Sequence, residues 1–165
     1  DAMRQRLLDI NPDAAVCALQ KVFTQQTAPE FKLEEYDVVV DAIDSLKDKA
    51  ELILHVTQLP QTVLFSSMGA ALKCDPSRIR VTEFWRVTGD PLARALRRRF
   101  KHERRFPARK FQCVFSDELL QNIGCPPDEG EAPSMFHKPQ VNGSLVHITA
   151  VFGLTLASLV IRGCR

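Results

Sequence analysis

The chain has few glycines and no two cysteines that are close in sequence, and each of these shortages excludes a kind of binding site. It has seven glycines among 165 residues, and Gly69 is the only one before Gly89. The sequence therefore contains no Gly-x-Gly-x-x-Gly phosphate loop. The five cysteines are widely spaced, with no Cys-x-x-Cys, so we expect no structural zinc.

Other shortages bear on location and class. The N-terminal residues lack the apolar run of a signal peptide, and the cysteine number is odd. Both features favour a reducing, cytoplasmic setting. The chain is 45% hydrophobic and 25% charged, which excludes intrinsic disorder and collagen. Its length predicts one domain, residues 1–165, and its formal charge is only +2.

The first half alternates predicted strands and helices. Residues 36–41 and 62–65 are short β-branched or apolar runs, which are typical of strands buried on both faces. Between them, Ser45 is a predicted cap for a helix that runs to about Leu59, with Lys49 facing water. Residues 14–23 are also β-compatible. This order predicts an α/β fold with a Rossmann-like, mostly parallel sheet, of which residues 1–70 form the remainder of the Rossmann-like part.

Residues 71–165 are predicted to form a mixed extension. Asp90-Pro91 marks a helix start, and residues 111–115 form another strand. Residues 122–140 contain four prolines and are predicted to form a long mobile loop. Residues 144–161 carry no Asp, Glu, Lys or Arg. We expect a packed core or dimer-interface helix there; membrane association is the alternative, since a span needs about 20 apolar residues.

The near-neutral net charge of the whole chain conceals a basic segment at residues 94–110. Nine of the 22 basic residues lie there, opposed only by Glu103. They are Arg94, Arg97, Arg98, Arg99, Lys101, Arg104, Arg105, Arg109 and Lys110. Such a cluster can neutralise RNA phosphates, and Arg planes can stack on unpaired bases. The alternative is a solvated helix face, but the density of arginine favours RNA binding.

A family resemblance begins at Val38-Val-Val-Asp-Ala-Ile-Asp-Ser45. This segment resembles the adenylating superfamily that includes ubiquitin-activating enzymes and bacterial activators of sulfur carriers. Within it, the chain is most similar to tRNA threonylcarbamoyladenosine dehydratases. The other motifs that carry the resemblance, in order, are Arg6-Leu-Leu-Asp-Ile-Asn-Pro12, Asp75-Pro-Ser-Arg-Ile79, Val81-Thr82, Asp90-Pro-Leu-Ala93, Cys113-Val-Phe-Ser116 and residues 143–153.

The resemblance implies ATP-dependent dehydration of threonylcarbamoyl adenosine in tRNA, by ring closure through an adenylated carboxylate. It implies ATP and Mg²⁺ as cofactors, with Asp44 binding the magnesium of Mg-ATP and Asp41 as the second candidate. One of these aspartates could instead cap the following helix. Cys113 is a candidate acyl acceptor, but its apolar neighbours favour a buried packing cysteine.

The implied partners are tRNA, a second copy of the chain and a sulfur-transfer or carrier protein. Two other functions stay open: an adenylating enzyme for a ubiquitin-like or sulfur-carrier protein, and a non-catalytic RNA-binding or dimerisation module. The family's glycine-rich half has no counterpart here. Met3, Leu7 and Ile10 have helical spacing before Asn11-Pro12, so we expect the chain to begin inside a helix, after that missing half.

Overall fold

The computed structural model of the chain describes residues 1–123 and 142–163. Its sheet has four strands: β1 (Val38–Asp41), β2 (Val63–Ser67), β3 (Ile79–Glu83) and β4 (Gln112–Ser116). Their spatial order is β1-β2-β4-β3. The pairs β1–β2 and β2–β4 are parallel, whereas β3 pairs with β4 in the antiparallel sense. The predicted α/β fold, with a mostly parallel sheet and a mixed extension, is confirmed.

Two helices cover one face of the sheet. They are α3 (Leu46–Val56), which connects β1 to β2, and α4 (Pro91–Glu103), which precedes β4. Ile53 of α3 and Leu96 and Phe100 of α4 are fully buried in one cluster with the sheet residues Leu64 and Phe115. Because side chains alternate across a strand, the neighbouring residues of β2 and β4 point to the other face.

The last helix, α5 (Val146–Gly163), covers part of that other face. Ile148, Phe152 and Leu156, spaced four residues apart, pack against Phe65 and Val114. This confirms the predicted packed C-terminal helix. By length and composition α5 could cross a membrane, and only 17% of it is buried. A single helix of this kind is weak support for a span.

The N-terminal region contributes little to the core. Helix α1 (Ala2–Ile10) has no buried residue. Residues 14–23 form neither helix nor strand, so their β-compatible composition was a wrong guide. Only Phe23 of that run is buried, and none of the strands in the described part of the chain pairs with the run. A short helix, α2 (Ala28–Phe31), and a 3-10 turn, Leu33–Glu35, then lead into β1.

The two predicted parts of the chain share one sheet. Strands β1 and β2 come from residues 1–70, β3 and β4 come from residues 71–165, and the β2–β4 pairing joins them. The single domain with this internal division stays a prediction. The predicted mobile loop, 122–140, lies outside the described residues except for its first two.

Candidate active site

The carboxyl ends of β1, β2 and β4 lie at one edge of the sheet, because these three strands are parallel. Ligands of open α/β sheets bind at this edge. The segment 41–45 leaves β1 there, residues 67–75 leave β2, and Asp117 and Glu118 leave β4. These three connections form the candidate active site.

A buried ion pair fixes the first connection. The Asp41 carboxylate lies 2.7 Å from Lys49 Nζ, and both side chains are fully buried. Asp41 also accepts hydrogen bonds from Ser66 Oγ at 2.6 Å and from the Ile43 N–H at 3.0 Å. Lys49 donates to the Ile43 carbonyl at 3.1 Å. The prediction that Lys49 faces water was therefore wrong.

This arrangement gives the two candidate aspartates different roles. Both Asp41 oxygens are engaged by donors of the protein, so the Asp41 carboxylate positions the turn. Asp44 is exposed three residues later, directly before the N-terminus of α3. The cap of that helix is Ser45, whose side chain accepts from the Asp48 N–H, rather than either aspartate. Magnesium binding by Asp44 or Asp41 stays a prediction.

The second connection, residues 67–75, is held by side chains from distant parts of the chain. Lys73 Nζ donates to the carbonyls of Ser116 and Glu118 at 3.0 and 2.6 Å. Burial lowers the pKa of Lys73. The Glu118 carboxylate accepts from the backbone N–H groups of Cys74 and Asp75, which together hold its pKa below the usual range. The loop is thereby fixed to the end of β4.

Asp90 brings the start of α4 to the same edge. Its carboxylate caps α4 through the Ala93 N–H at 2.7 Å and accepts from the Gly69 N–H at 3.2 Å. Desolvation raises the pKa of this buried carboxyl. Gly89, with φ at +70°, approaches β4 so closely that a Cβ would lie 2.7 Å from the Asp117 carbonyl oxygen. Only glycine suits both the angle and the space.

Cys113 lies in the middle of the sheet, away from solvent. The residue is fully buried, and burial raises the pKa of its thiol well above the ordinary value. An acyl acceptor must be ionised and accessible to its substrate. The structure therefore supports the packing interpretation of Cys113 and gives no support to a catalytic one.

Four of the nine cations predicted to bind RNA have partners within the chain. Arg97 donates to the carbonyls of Phe84 and Val87, and Arg109 donates to those of Thr57 and Thr62. Arg99 pairs with Glu103 at 2.7 Å, and Arg105 forms a two-pronged pair with Glu51. The contacts of Arg97, Arg105 and Arg109 tie α4 and its following loop to other elements, whereas the Arg99–Glu103 pair lies within α4.

The other five cations have no such partner among residues 1–123 and 142–163. They are Arg94, Arg98, Lys101, Arg104 and Lys110, all exposed. RNA binding by the basic segment stays a prediction.

Sequence reasoning missed the residues that hold the site together. Lys49, Lys73 and Glu118 were not singled out, because their partners lie on other elements. Lys73 and the Ser116 carbonyl, for example, are 43 residues apart in sequence. Asp90 was visible as a helix start from Asp90-Pro91, but its bond to Gly69 was not.

Comparison with known proteins identifies the family of the chain. A model of the ThiF family matches residues 1–163. The chain is 35% identical to tRNA threonylcarbamoyladenosine dehydratase of Bacillus subtilis over 118 residues, which cover 72% of this chain and 45% of that protein. It is 30% identical to the Escherichia coli dehydratase over 174 residues, which cover 96% of this chain and 63% of the relative.

Solved structures agree with the sequence relatives. The E. coli dehydratase TcdA in complex with ATP superimposes with a TM-score of 0.78 at 28% identity, over 97% of this chain and 60% of that one. TcdA in complex with AMP gives a TM-score of 0.76 at 29% identity, over 97% and 61%. The chain thus spans less than two thirds of the length of these relatives, and it belongs to the ThiF family.

Proposed function

We propose that this chain forms the Asp44-bearing, substrate-facing part of an ATP-dependent tRNA dehydratase. The observation that carries the proposal is the position of Asp44. An exposed carboxylate stands at the carboxyl edge of a parallel sheet, on a turn that the buried Asp41–Lys49 pair holds in place. The names of the relatives supply the substrate class, threonylcarbamoyl adenosine of tRNA.

The proposed reaction removes water by activating a carboxylate. The substrate carboxylate is first adenylated by ATP with release of pyrophosphate. An atom of the same modified base then attacks the activated carbonyl, a ring closes, and AMP leaves with the former carboxylate oxygen. Such a reaction depends on stabilising charge around the adenylate more than on a protein nucleophile. That requirement agrees with the inaccessible Cys113 thiol.

The residues at the carboxyl edge of the sheet fit the protein-facing side of a magnesium ion that is also bound to a nucleotide. Mg²⁺ binds one or two protein carboxylates and completes its shell with phosphates and water. Asp44 presents an exposed carboxylate there, and the Asp41 carboxylate is fully buried and bonded to Lys49, Ser66 and Ile43. When bound, the ion supplies charge neutralisation at the phosphates. Asp44 would hold it, and the buried pair would keep Asp44 in position.

The test is the reaction itself, carried out with the protein produced from its natural reading frame. Threonylcarbamoyl-modified tRNA and ATP are supplied, and mass spectrometry of the digested nucleosides measures the ring-closed product, which is lighter by one water. Asp44→Ala should lower the rate about 100-fold or more, as the loss of one preorganised electrostatic group does.

Asp37→Asn is the matched control, because it removes an exposed carboxylate that precedes β1, at the opposite edge of the sheet. It should leave the rate unchanged. Equal rates for Asp44→Ala and Asp37→Asn would remove Asp44 from the site. Absence of ring closure, together with adenylation of a sulfur-carrier protein, would replace the dehydratase function by carrier activation.

A further inference from the structure

Helix α4 presents two different faces. Ala93, Leu96 and Phe100 are fully buried against the sheet and α3. On the other side, Arg94, Arg98 and Lys101 recur at intervals of four and three residues. Residues at this spacing share one face of a helix. Successive cations are therefore about 4.5–6 Å apart along the axis, at about 1.5 Å of rise per residue.

This row of cations borders a groove. Arg94, Arg98 and His102 line the groove together with Pro91 and Leu46, the first residue of α3. Leu46 is two residues from Asp44 in sequence, so one side of the groove lies close to the turn that carries Asp44.

Among the described residues, the side chains that line the groove carry a net positive charge. Its lining contains one carboxylate, Glu103, and that group pairs with Arg99 at 2.7 Å. Glu103 also lies 4.0 Å from Arg105. Arg94 and Arg98 have no ion-pair partner within residues 1–123 and 142–163. Two guanidinium groups are therefore available to an external anion.

A row of guanidinium groups beside small apolar surfaces suits an RNA strand. Arginine binds phosphate through two parallel donors, and its plane can also stack on an unpaired base. Pro91, Ala95 and Leu46 supply the apolar floor between the charges. A point-like anion would need one convergent pocket instead of cations spaced along a helix.

We propose that the Arg94–Arg98–Lys101 row of α4, with the adjoining groove, holds the sugar–phosphate backbone of the tRNA next to the modified base. The inference rests on the proposed function and refines it. It divides the basic segment into an RNA-facing row and four arginines that bond within the chain, Arg97, Arg99, Arg105 and Arg109. Arg104, at the C-cap of α4, and Lys110, on the loop before β4, lie outside this row.

The test compares two double variants that each remove two positive charges. Arg94→Gln/Arg98→Gln alters the row. Lys32→Gln/Arg86→Gln is the control, since both residues are exposed and lie outside α4 and the basic segment. Fluorescence anisotropy with labelled tRNA gives Kd between about 50 and 200 mM salt, the range in which phosphate contacts dominate the change in affinity.

The row variant should bind at least about tenfold more weakly than the unaltered protein. The magnitude of its slope of log K against log salt should decrease by about 1.4, since two phosphate contacts are lost and each single-strand contact contributes about 0.7. The control should keep both the affinity and the slope. Equal losses in the two variants would show a response to net charge alone and would overturn the proposal, as would unchanged binding by the row variant.

A footprint on the unaltered protein gives a second measurement that needs no variant. Acetic anhydride acetylates exposed lysines, and mass spectrometry compares the extent with and without tRNA. Protection of Lys101 but not of Lys110 is expected, and the reverse pattern would contradict the proposed surface. Neither measurement requires ATP or ring closure. Failure of the RNA surface is thereby distinguishable from failure of the dehydratase activity.

Discussion

The buried Asp41–Lys49 pair shows how a single side chain can fix the position of another. Lys49 lies on α3 and reaches back under the turn that leaves β1, where it meets Asp41 and the Ile43 carbonyl. Taking two charges out of water is costly, and their attraction compensates only when both partners and their hydrogen bonds are present. The turn that carries Asp44 therefore depends on a complete set of contacts.

Asp41→Asn should destabilise the protein strongly, because it keeps the volume of the side chain but leaves the Lys49 ammonium buried without a counter-charge. The expected loss is about 3–5 kcal/mol in the free energy of unfolding, measured by urea denaturation. Ser66→Ala removes only one bond to the same carboxylate and should cost about 1.5–3 kcal/mol. A smaller loss for Asp41→Asn than for Ser66→Ala would contradict the assigned role of the pair.

At the scale of the elements, the sequence pattern was sufficient to predict a helix or strand wherever the signal lies within a few neighbouring residues. The β-branched run at residues 36–41 and the Asp90-Pro91 cap correctly predicted β1 and α4, because β-branched runs and helix caps are local signals. The expected burial of β1 on both faces was wrong, since Val40 is 45% exposed. Residues 14–23 have a similar apolar content and form no strand. A strand requires a neighbouring edge, which composition does not encode.

The candidate site was predictable only in part, for the same reason. Asp44 follows from its place after a predicted strand and from the family resemblance. The burial of Lys49 does not, since helical spacing alone places it among solvent-facing residues, and its counter-charge lies on another element. The sequence also does not show which of the nine cations have partners within the chain and which do not. Arg97 and Arg98 are adjacent in sequence, yet only Arg97 reaches the Phe84 carbonyl and lies over the Phe84 ring.

The loop after β2 depends on the ionised form of Glu118. The backbone N–H groups of Asp75 and Cys74 hold the pKa of Glu118 below 4.5, its ordinary value. A carboxylate of this kind stabilises the folded state above its unfolded pKa, and that stabilisation is lost as the pH falls through the lower folded pKa. The contribution is therefore complete at pH 7 and declines in acid below about pH 4.5.

Glu118→Gln should accordingly be less stable than the unaltered protein at pH 7, because one amide oxygen replaces two charged acceptors. The difference should shrink as the pH falls from 5 toward 3, as measured by urea unfolding across a pH series. Desolvation raises the pKa of Asp90, so the effect of Asp90 on stability changes with pH in the opposite direction. Because Asp90 is present in both proteins, this effect cancels in the difference. Glu34→Gln, at an exposed position, is the control. A difference that grew in acid would contradict the assigned contacts.

At the scale of the whole molecule, burial is unevenly distributed. Cys113 and Val114 of β4 are fully buried, and β4 pairs on both sides, with β2 and β3. Helix α1 has no buried residue, and its Met3 and Ile10 are 67% and 81% exposed. Regions with few buried contacts open locally at much lower free energy than the core. The described fold is thus a stable sheet with an N-terminal helix that gains little from packing.

Amide hydrogen exchange measured by mass spectrometry should reproduce this distribution. Peptides from β4 are expected to exchange only when the whole protein unfolds, and peptides from α1 to exchange within the earliest time points, because fraying opens α1 without disturbing the sheet. Helix α5 should be intermediate, since three of its residues pack on β2 and β4 while Leu154 is 70% exposed. Protection of α1 equal to that of β4 would contradict this, and would mean that another part of the protein or a second copy covers α1 in solution.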